Sequence, residues 1–142
     1  MTLFARDYHN GSGSRLPVVC VPGLTRNSRD FEDLAPLIAE TGRRVVTVDL
    51  RGRGTSDFDP HPKNYAPATY VRDVKTVMKS LGLERAVFIG TSLGGFVTMM
   101  LAAKNPEMVA GVVLNDIGPR VEMAGLRRIA SYVGKPTLLR NL

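Results

Sequence analysis

Residues 86–104 read AVFIGTSLGGFVTMMLAAK, and the order of residue types in this stretch decides the fold class. Ala86 to Gly90 is a short apolar run of the kind that forms a buried strand. Leu93 to Lys104 is a longer, mostly apolar run of helix formers, of the kind that packs on a sheet. It must stop before Pro106, because the residue preceding a proline leaves the helical region. Between the two runs stands Gly90-Thr91-Ser92-Leu93-Gly94, a G-x-S-x-G pattern in a strand–turn–helix context. Such a turn is sharp, so side chains at Gly90 and Gly94 would strike backbone. It lifts a serine oxygen clear of the sheet at a helix N-terminus. Ser92 is therefore the candidate nucleophile. The Leu93 N–H, unpaired at the start of the helix, is a candidate donor to a developing oxyanion. Against this stands a plain glycine-rich turn with an incidental serine.

Working outward, the same alternation recurs. Leu16 to Val21 and Arg44 to Leu50 read as buried strands, and Val109 to Leu114 as another. Residues 2–8 suit an edge strand, followed by a turn at Asn10-Gly11-Ser12-Gly13-Ser14. Phe31, Leu34, Leu37 and Ile38 mark one helical face over residues 29–41, with Gly42 as its stop. Tyr70, Val71, Val74, Val77, Met78 and Leu81 form an apolar stripe over residues 67–81, closed by Gly82. A last helical pattern follows Gly118-Pro119 and ends at Gly134. Strands alternating with helices imply an α/β fold with a mostly parallel sheet and flanking helices. Strands apolar on both faces fit a sheet covered on both sides. Function in such sheets gathers at the C-terminal strand ends.

Three other strand ends carry candidate residues. Pro22-Gly23-Leu24 ends the strand before the first long helix, and its Leu24 N–H is a second candidate oxyanion donor, against a plain turn. Asp49-Leu50-Arg51-Gly52-Arg53-Gly54-Thr55-Ser56-Asp57 lacks the third glycine of a dinucleotide loop and the Gly-Lys-Ser/Thr of a phosphate loop. Asp49 and Arg51 are expected to pair there with backbone or with each other. Asn115-Asp116 follows the strand at 109–114. The single cysteine, Cys20, lies inside an apolar strand and is expected to behave as a small hydrophobe rather than a thiol nucleophile.

The 142 residues suit one domain, and 44% hydrophobic with 23% charged residues excludes a disordered or disulfide-built chain. No run of apolar residues is long enough to span a bilayer, and no secretory h-region opens the chain. A cytoplasmic location with no membrane partner is expected. The net charge of +6 is concentrated near the end: Arg120, Arg127, Arg128, Lys135 and Arg140 face one acid, Glu122. Their helical interleaving with apolar residues fits an outer helix face, and no nucleic-acid module accompanies them. No cofactor or metal is implied. The histidines, His9 and His61, both precede Ser92.

VPGLTRNSRDFEDLAPLIA, VVTVDLRGRGTSD, VFIGTSLGGFVTMMLAA and VVLNDIGP together resemble the N-terminal half of the α/β-hydrolase superfamily, in a bacterial branch marked by the LNDIGP segment. The resemblance implies that residues 1–119 are the N-terminal part of a hydrolase core, lacking its last strands. Residues 120–142, with VEMAGLRRIASYVGK, would open a lid. It implies a hydrolase of esters or related acyl compounds, with Ser92 as nucleophile and the Leu24 and Leu93 N–H groups as oxyanion hole. In that family the acid and then a histidine follow the serine. Here no histidine follows Ser92, and the acids after it are Glu107, Asp116 and Glu122. Asp116 is a candidate acid by resemblance, against capping the turn that follows. The chain is therefore expected to be catalytically incomplete, and a non-catalytic fragment or binding module of the same fold is the alternative. With nothing beside it, the strand at 109–114 would be an open apolar edge, which invites self-association or a complementing chain unless residues from Arg120 fold back over it.

Overall fold

A computed structural model of the protein describes residues 1–9, 15–118, 120 and 123–132. The turn at 10–14, the helix stop at Gly134 and the basic Lys135 and Arg140 lie outside the described residues. Five strands form one sheet: β1 (Ala5–Tyr8), β2 (Val18–Val21), β3 (Val45–Val48), β4 (Ala86–Thr91) and β5 (Val109–Asn115). Their order is β1-β3-β2-β4-β5. β1 runs antiparallel to β3 at one edge; all other pairings are parallel. Four α-helices accompany them: α1 (Leu34–Glu40), α2 (Pro67–Ser80), α3 (Leu93–Lys104) and α4 (Met123–Tyr132).

Alternation along the strands explains why they are apolar on both faces. Val19, Val21, Val46, Val48 and Phe88 join Tyr70, Val74 and Met78 of α2 and Val97 and Leu101 of α3 in one core. Val18, Cys20 and Val45 join Phe31, Ala35 and Ala39 in a second core on the opposite face. Cys20 is wholly buried, and burial pushes its thiol up to about 12. It is a core hydrophobe, as its strand setting predicts.

The stripe on α2 is buried as expected from Tyr70 to Met78. The helix ends in a turn where Gly82 N–H donates to Lys79 C=O at 3.2 Å and Leu83 N–H to Met78 C=O at 2.8 Å. That pairing satisfies two end carbonyls and requires the positive φ (68°) that Gly82 adopts. The face expected over 29–41 needs correction. Residues 28–31 form a 3-10 turn, and the α-helix begins only at Leu34. The tighter turn resets the helical phase. Phe31, Ala35 and Ala39 face the core, while Leu34 and Leu37 point to solvent at 41% and 60% exposure.

β5 departs from the other parallel strands. α3 lies against one side, where Leu114 approaches Gly95. Val112, Val113 and Leu114 nevertheless stay 36–53% exposed. On α4 the described Arg127 and Arg128 are exposed, as is Arg120 before it.

Candidate active site at the end of the fourth strand

Ser92 stands between β4 and α3 with φ 50° and ψ −113°. A non-glycine residue in this region is strained, and such strain persists only where the surroundings impose it. Here they do. Its N–H donates to the Asn115 carbonyl at the end of β5 at 2.9 Å, and its carbonyl accepts the Phe96 N–H at 3.1 Å. The glycines of the motif are required by contact. A Cβ on Gly94 would lie 2.0 Å from the Val21 carbonyl oxygen, and one on Gly90 2.6 Å from the backbone of Gly95. β2, β4 and α3 thus touch backbone to backbone beneath the serine, and nothing larger fits.

The two expected oxyanion donors lie on separate segments. Leu93 is the first residue of α3, so its N–H has no intrahelical acceptor. Leu24 lies in a turn closed by the Arg26 N–H donating to the Gly23 carbonyl at 3.2 Å. In a trans peptide N–H and C=O point opposite ways. The Gly23 carbonyl faces into its turn, so the Leu24 N–H faces out of it. Gly23 borders the serine: a Cβ placed there would lie 3.8 Å from Ser92 Cβ. Among the described residues no backbone acceptor takes either N–H.

Asp116 follows β5 with φ 55° and is exposed. It is one residue from the carbonyl that holds Ser92, so it belongs to the same end of the sheet. His9 is exposed after β1, and His61 precedes a 3-10 turn with its N–H on Asp59 Oδ1 at 2.9 Å. Neither lies on the elements that build the elbow.

The loop after β3 is a brace. Asp49 Oδ1 accepts the Ser28 N–H at 2.7 Å and Oδ2 the Thr55 N–H at 2.8 Å. Asp49 thus pairs with backbone as expected, whereas the Arg51 side chain pairs with neither backbone nor Asp49, a correction to the expectation. Its fork takes Asp73 of α2 at 2.7 and 2.6 Å, and its remaining Nη takes Asp59 at 2.6 Å. The Asp73 hydrogen bond is the largest influence holding the guanidinium above its ordinary pKa. The His61 N–H, Asn64 and Arg51 hold the Asp59 carboxyl below its own.

Sequence reasoning missed four contributors. Asn115 supplies the carbonyl for Ser92. Asp73 and the hydroxyl of Tyr70 lie on a helix read only for its apolar stripe. Arg53 reaches the Leu24 carbonyl. No local pattern marks them, because each acts across the fold. A cavity of about 490 Å³ lined by Lys75, Lys79, Leu83 and Met108 lies toward the start of β4, the end away from Ser92. Among the described residues no cluster of His, Cys, Asp and Glu could hold a metal, and no helix is long and apolar enough to cross a membrane.

Residues 17–132 match the family described as alpha/beta hydrolase fold, and the chain belongs to that family. A crystal structure of an alpha/beta hydrolase from Novosphingobium aromaticivorans superposes with a TM-score of 0.87 at 52% identity, covering 94% of this chain and 46% of that one. The 3-hydroxybutyrate-oligomer hydrolase of Cupriavidus necator is 36% identical over 136 residues, 94% of this chain and 46% of the relative. The sn-1-specific diacylglycerol lipase ABHD11 of Danio rerio is 34% identical over 119 residues, 83% of this chain and 37% of the relative. The chain thus spans less than half the length of these relatives.

Proposed function

We propose that this chain carries the nucleophile half of a serine hydrolase acting on esters or related acyl compounds. Ser92 Oγ attacks the substrate carbonyl, and the Leu24 and Leu93 N–H groups receive the oxyanion that forms. The observation that carries this is the backbone of Ser92: a strained serine, imposed by three interlocked segments, beside two N–H groups that no acceptor takes among the described residues. The relatives named as a 3-hydroxybutyrate-oligomer hydrolase and an sn-1-specific diacylglycerol lipase support the same reaction class.

The mechanism also needs a base to take the serine proton and an acid to orient that base. No histidine follows Ser92 in these 142 residues. Asp116 is the acid candidate, standing at the correct end of the sheet. By itself the chain is therefore a poor catalyst, since loss of one triad member removes several powers of ten in rate. p-Nitrophenyl acetate tests this. The 142-residue chain should turn it over at or near the background rate. Rapid turnover abolished by Ser92→Ala would mean that an unrecognised base is present.

That missing base favours a second reading, a non-catalytic binding module on the same scaffold. Binding of an ester-like ligand that Ser92→Ala leaves unchanged would support it.

The exposed edge at Val112 to Leu114 supports a further part of the proposal. The chain by itself pairs with a second copy through β5, because its outer edge has no partner strand among the described residues and presents unpaired backbone groups. Light scattering at micromolar concentration should show association, and Val113→Lys should suppress it. Wild-type protein that stays monomeric would contradict the pairing.

A further inference from the structure

The turn bearing the Leu24 N–H is short, exposed and flanked by glycine. One side is closed by the Arg26 N–H on the Gly23 carbonyl. The other side is the Leu24 carbonyl, which accepts the Nε–H of Arg53. Arg53 is itself anchored. Its Nη1 donates to the Arg51 carbonyl at 3.1 Å, and both Nη atoms reach the Tyr70 hydroxyl at 3.3 Å. Its guanidinium carbon stands 5.1 Å from the centre of the Tyr70 ring. Tyr70 is 2% exposed and fixed in the core beneath α2. A guanidinium is a rigid planar fork, so holding the two Nη edges aims the Nε–H.

We propose that Arg53 is a positioning residue for the oxyanion site: by holding the Leu24 carbonyl it keeps the Leu24 N–H aimed at the space beside Ser92. The proposal rests on the assignment of Leu24 and Leu93 as oxyanion donors. An oxyanion donor is effective when it is already oriented before charge develops. The Leu93 N–H is oriented by a helix. The Leu24 N–H has no regular element behind it, and its own peptide is held by the Arg26 N–H on the Gly23 carbonyl within a short exposed turn. Arg53 adds a second restraint from a core tyrosine, on the peptide that follows Leu24, so that both peptides flanking Leu24 are held. Lysine would keep the charge but lose the fork, so it would not replace arginine here.

The test uses the 142-residue chain, isotope-labelled and titrated with phenylboronic acid, with the amide resonances of Leu24 and Leu93 followed by NMR. The boron takes Ser92 Oγ as its fourth ligand, the serine proton passing to solvent, and presents an oxygen to the two N–H groups. In the wild type both resonances should shift. In Arg53→Met the Leu93 shift should persist, while the Leu24 shift is lost or its apparent affinity falls by about tenfold, the scale of one hydrogen bond. Arg53→Lys should recover less than half of the Leu24 response, and it carries the comparison if Arg53→Met does not fold. A purely structural role would disturb core amides such as Val19 and Phe88 together with Leu24. An unchanged Leu24 response in Arg53→Met, full recovery by Arg53→Lys, or disturbance spread over the core would overturn the proposal alone. Silence of both Leu24 and Leu93 in the wild type would overturn the oxyanion assignment, and the proposal with it.

Discussion

The turn that leaves β4 is held by backbone touching backbone, whereas the loop that leaves β3 is held by charges arriving from other elements. At β4, Gly90 and Gly94 let three segments meet backbone to backbone, and Ser92 takes the strain. At β3, Asp49 accepts the Ser28 and Thr55 N–H groups, and Arg51 lies between Asp73 and Asp59. Both loops end at the same rim of the sheet. The first shapes the site by exclusion: nothing but glycine fits. The second shapes it by attraction: buried ions must find partners. The two should therefore fail differently when altered.

The largest effect is expected in the charged loop. Arg51 is 7% and Asp73 5% exposed, so removing Arg51 leaves the Asp73 carboxylate buried without its partner, whereas removing Asp73 leaves Arg51 with Asp59 alone. Arg51→Met should lower unfolding stability by about 3–5 kcal/mol, measured by urea titration, and Asp73→Asn by less, because Asp59 still pairs with Arg51. The double replacement should cost less than the sum, because the second change removes the orphaned charge. Additive losses would mean that the ions act separately.

At the glycine turn the cost is steric. Gly94→Ala places a methyl on the Val21 carbonyl and should destabilise by about 1–3 kcal/mol, with the adjacent backbone displaced. Ser92→Gly should act in the opposite direction. It relieves the strained φ and should raise stability by about 1–2 kcal/mol while removing the proposed nucleophile. A neutral or destabilising Ser92→Gly would show that the turn stores little strain.

The smallest effect concerns pH. Asp59 titrates below its ordinary value of 3.8 in the folded chain, chiefly through the His61 N–H. A carboxyl lowered by folding adds stability that is complete above its unfolded value and is lost as pH falls through the folded one. Acid titration of stability should thus show a loss below about pH 4 that shrinks in Asp59→Asn. An identical acid limb in both proteins would remove Asp59 from the account.

The difference between the loops also explains what was legible in the sequence. Ser92, Gly90 and Gly94 act within a few residues of one another, so a short motif in its strand–helix context reveals them. The buried strands and the α2 stripe were legible for the same reason, since periodicity is local. Asp73, Tyr70 and Asn115 lie on elements whose patterns announce burial or strand, and their polar partners come from elsewhere in the chain. Arg53 falls between two glycines in a loop and carries no signal. Leu34 and Leu37 misled because a 3-10 turn shifted the helical phase, which apolar spacing does not encode.

The most direct test of the central claim is to map the adduct formed by a fluorophosphonate on the 142-residue chain by mass spectrometry. In this reaction Ser92 Oγ displaces fluoride from phosphorus. A slow, single adduct on Ser92, absent from Ser92→Ala, is the predicted result. An adduct on any other residue, or no adduct at all after prolonged exposure, would contradict the assignment of Ser92 as the nucleophile.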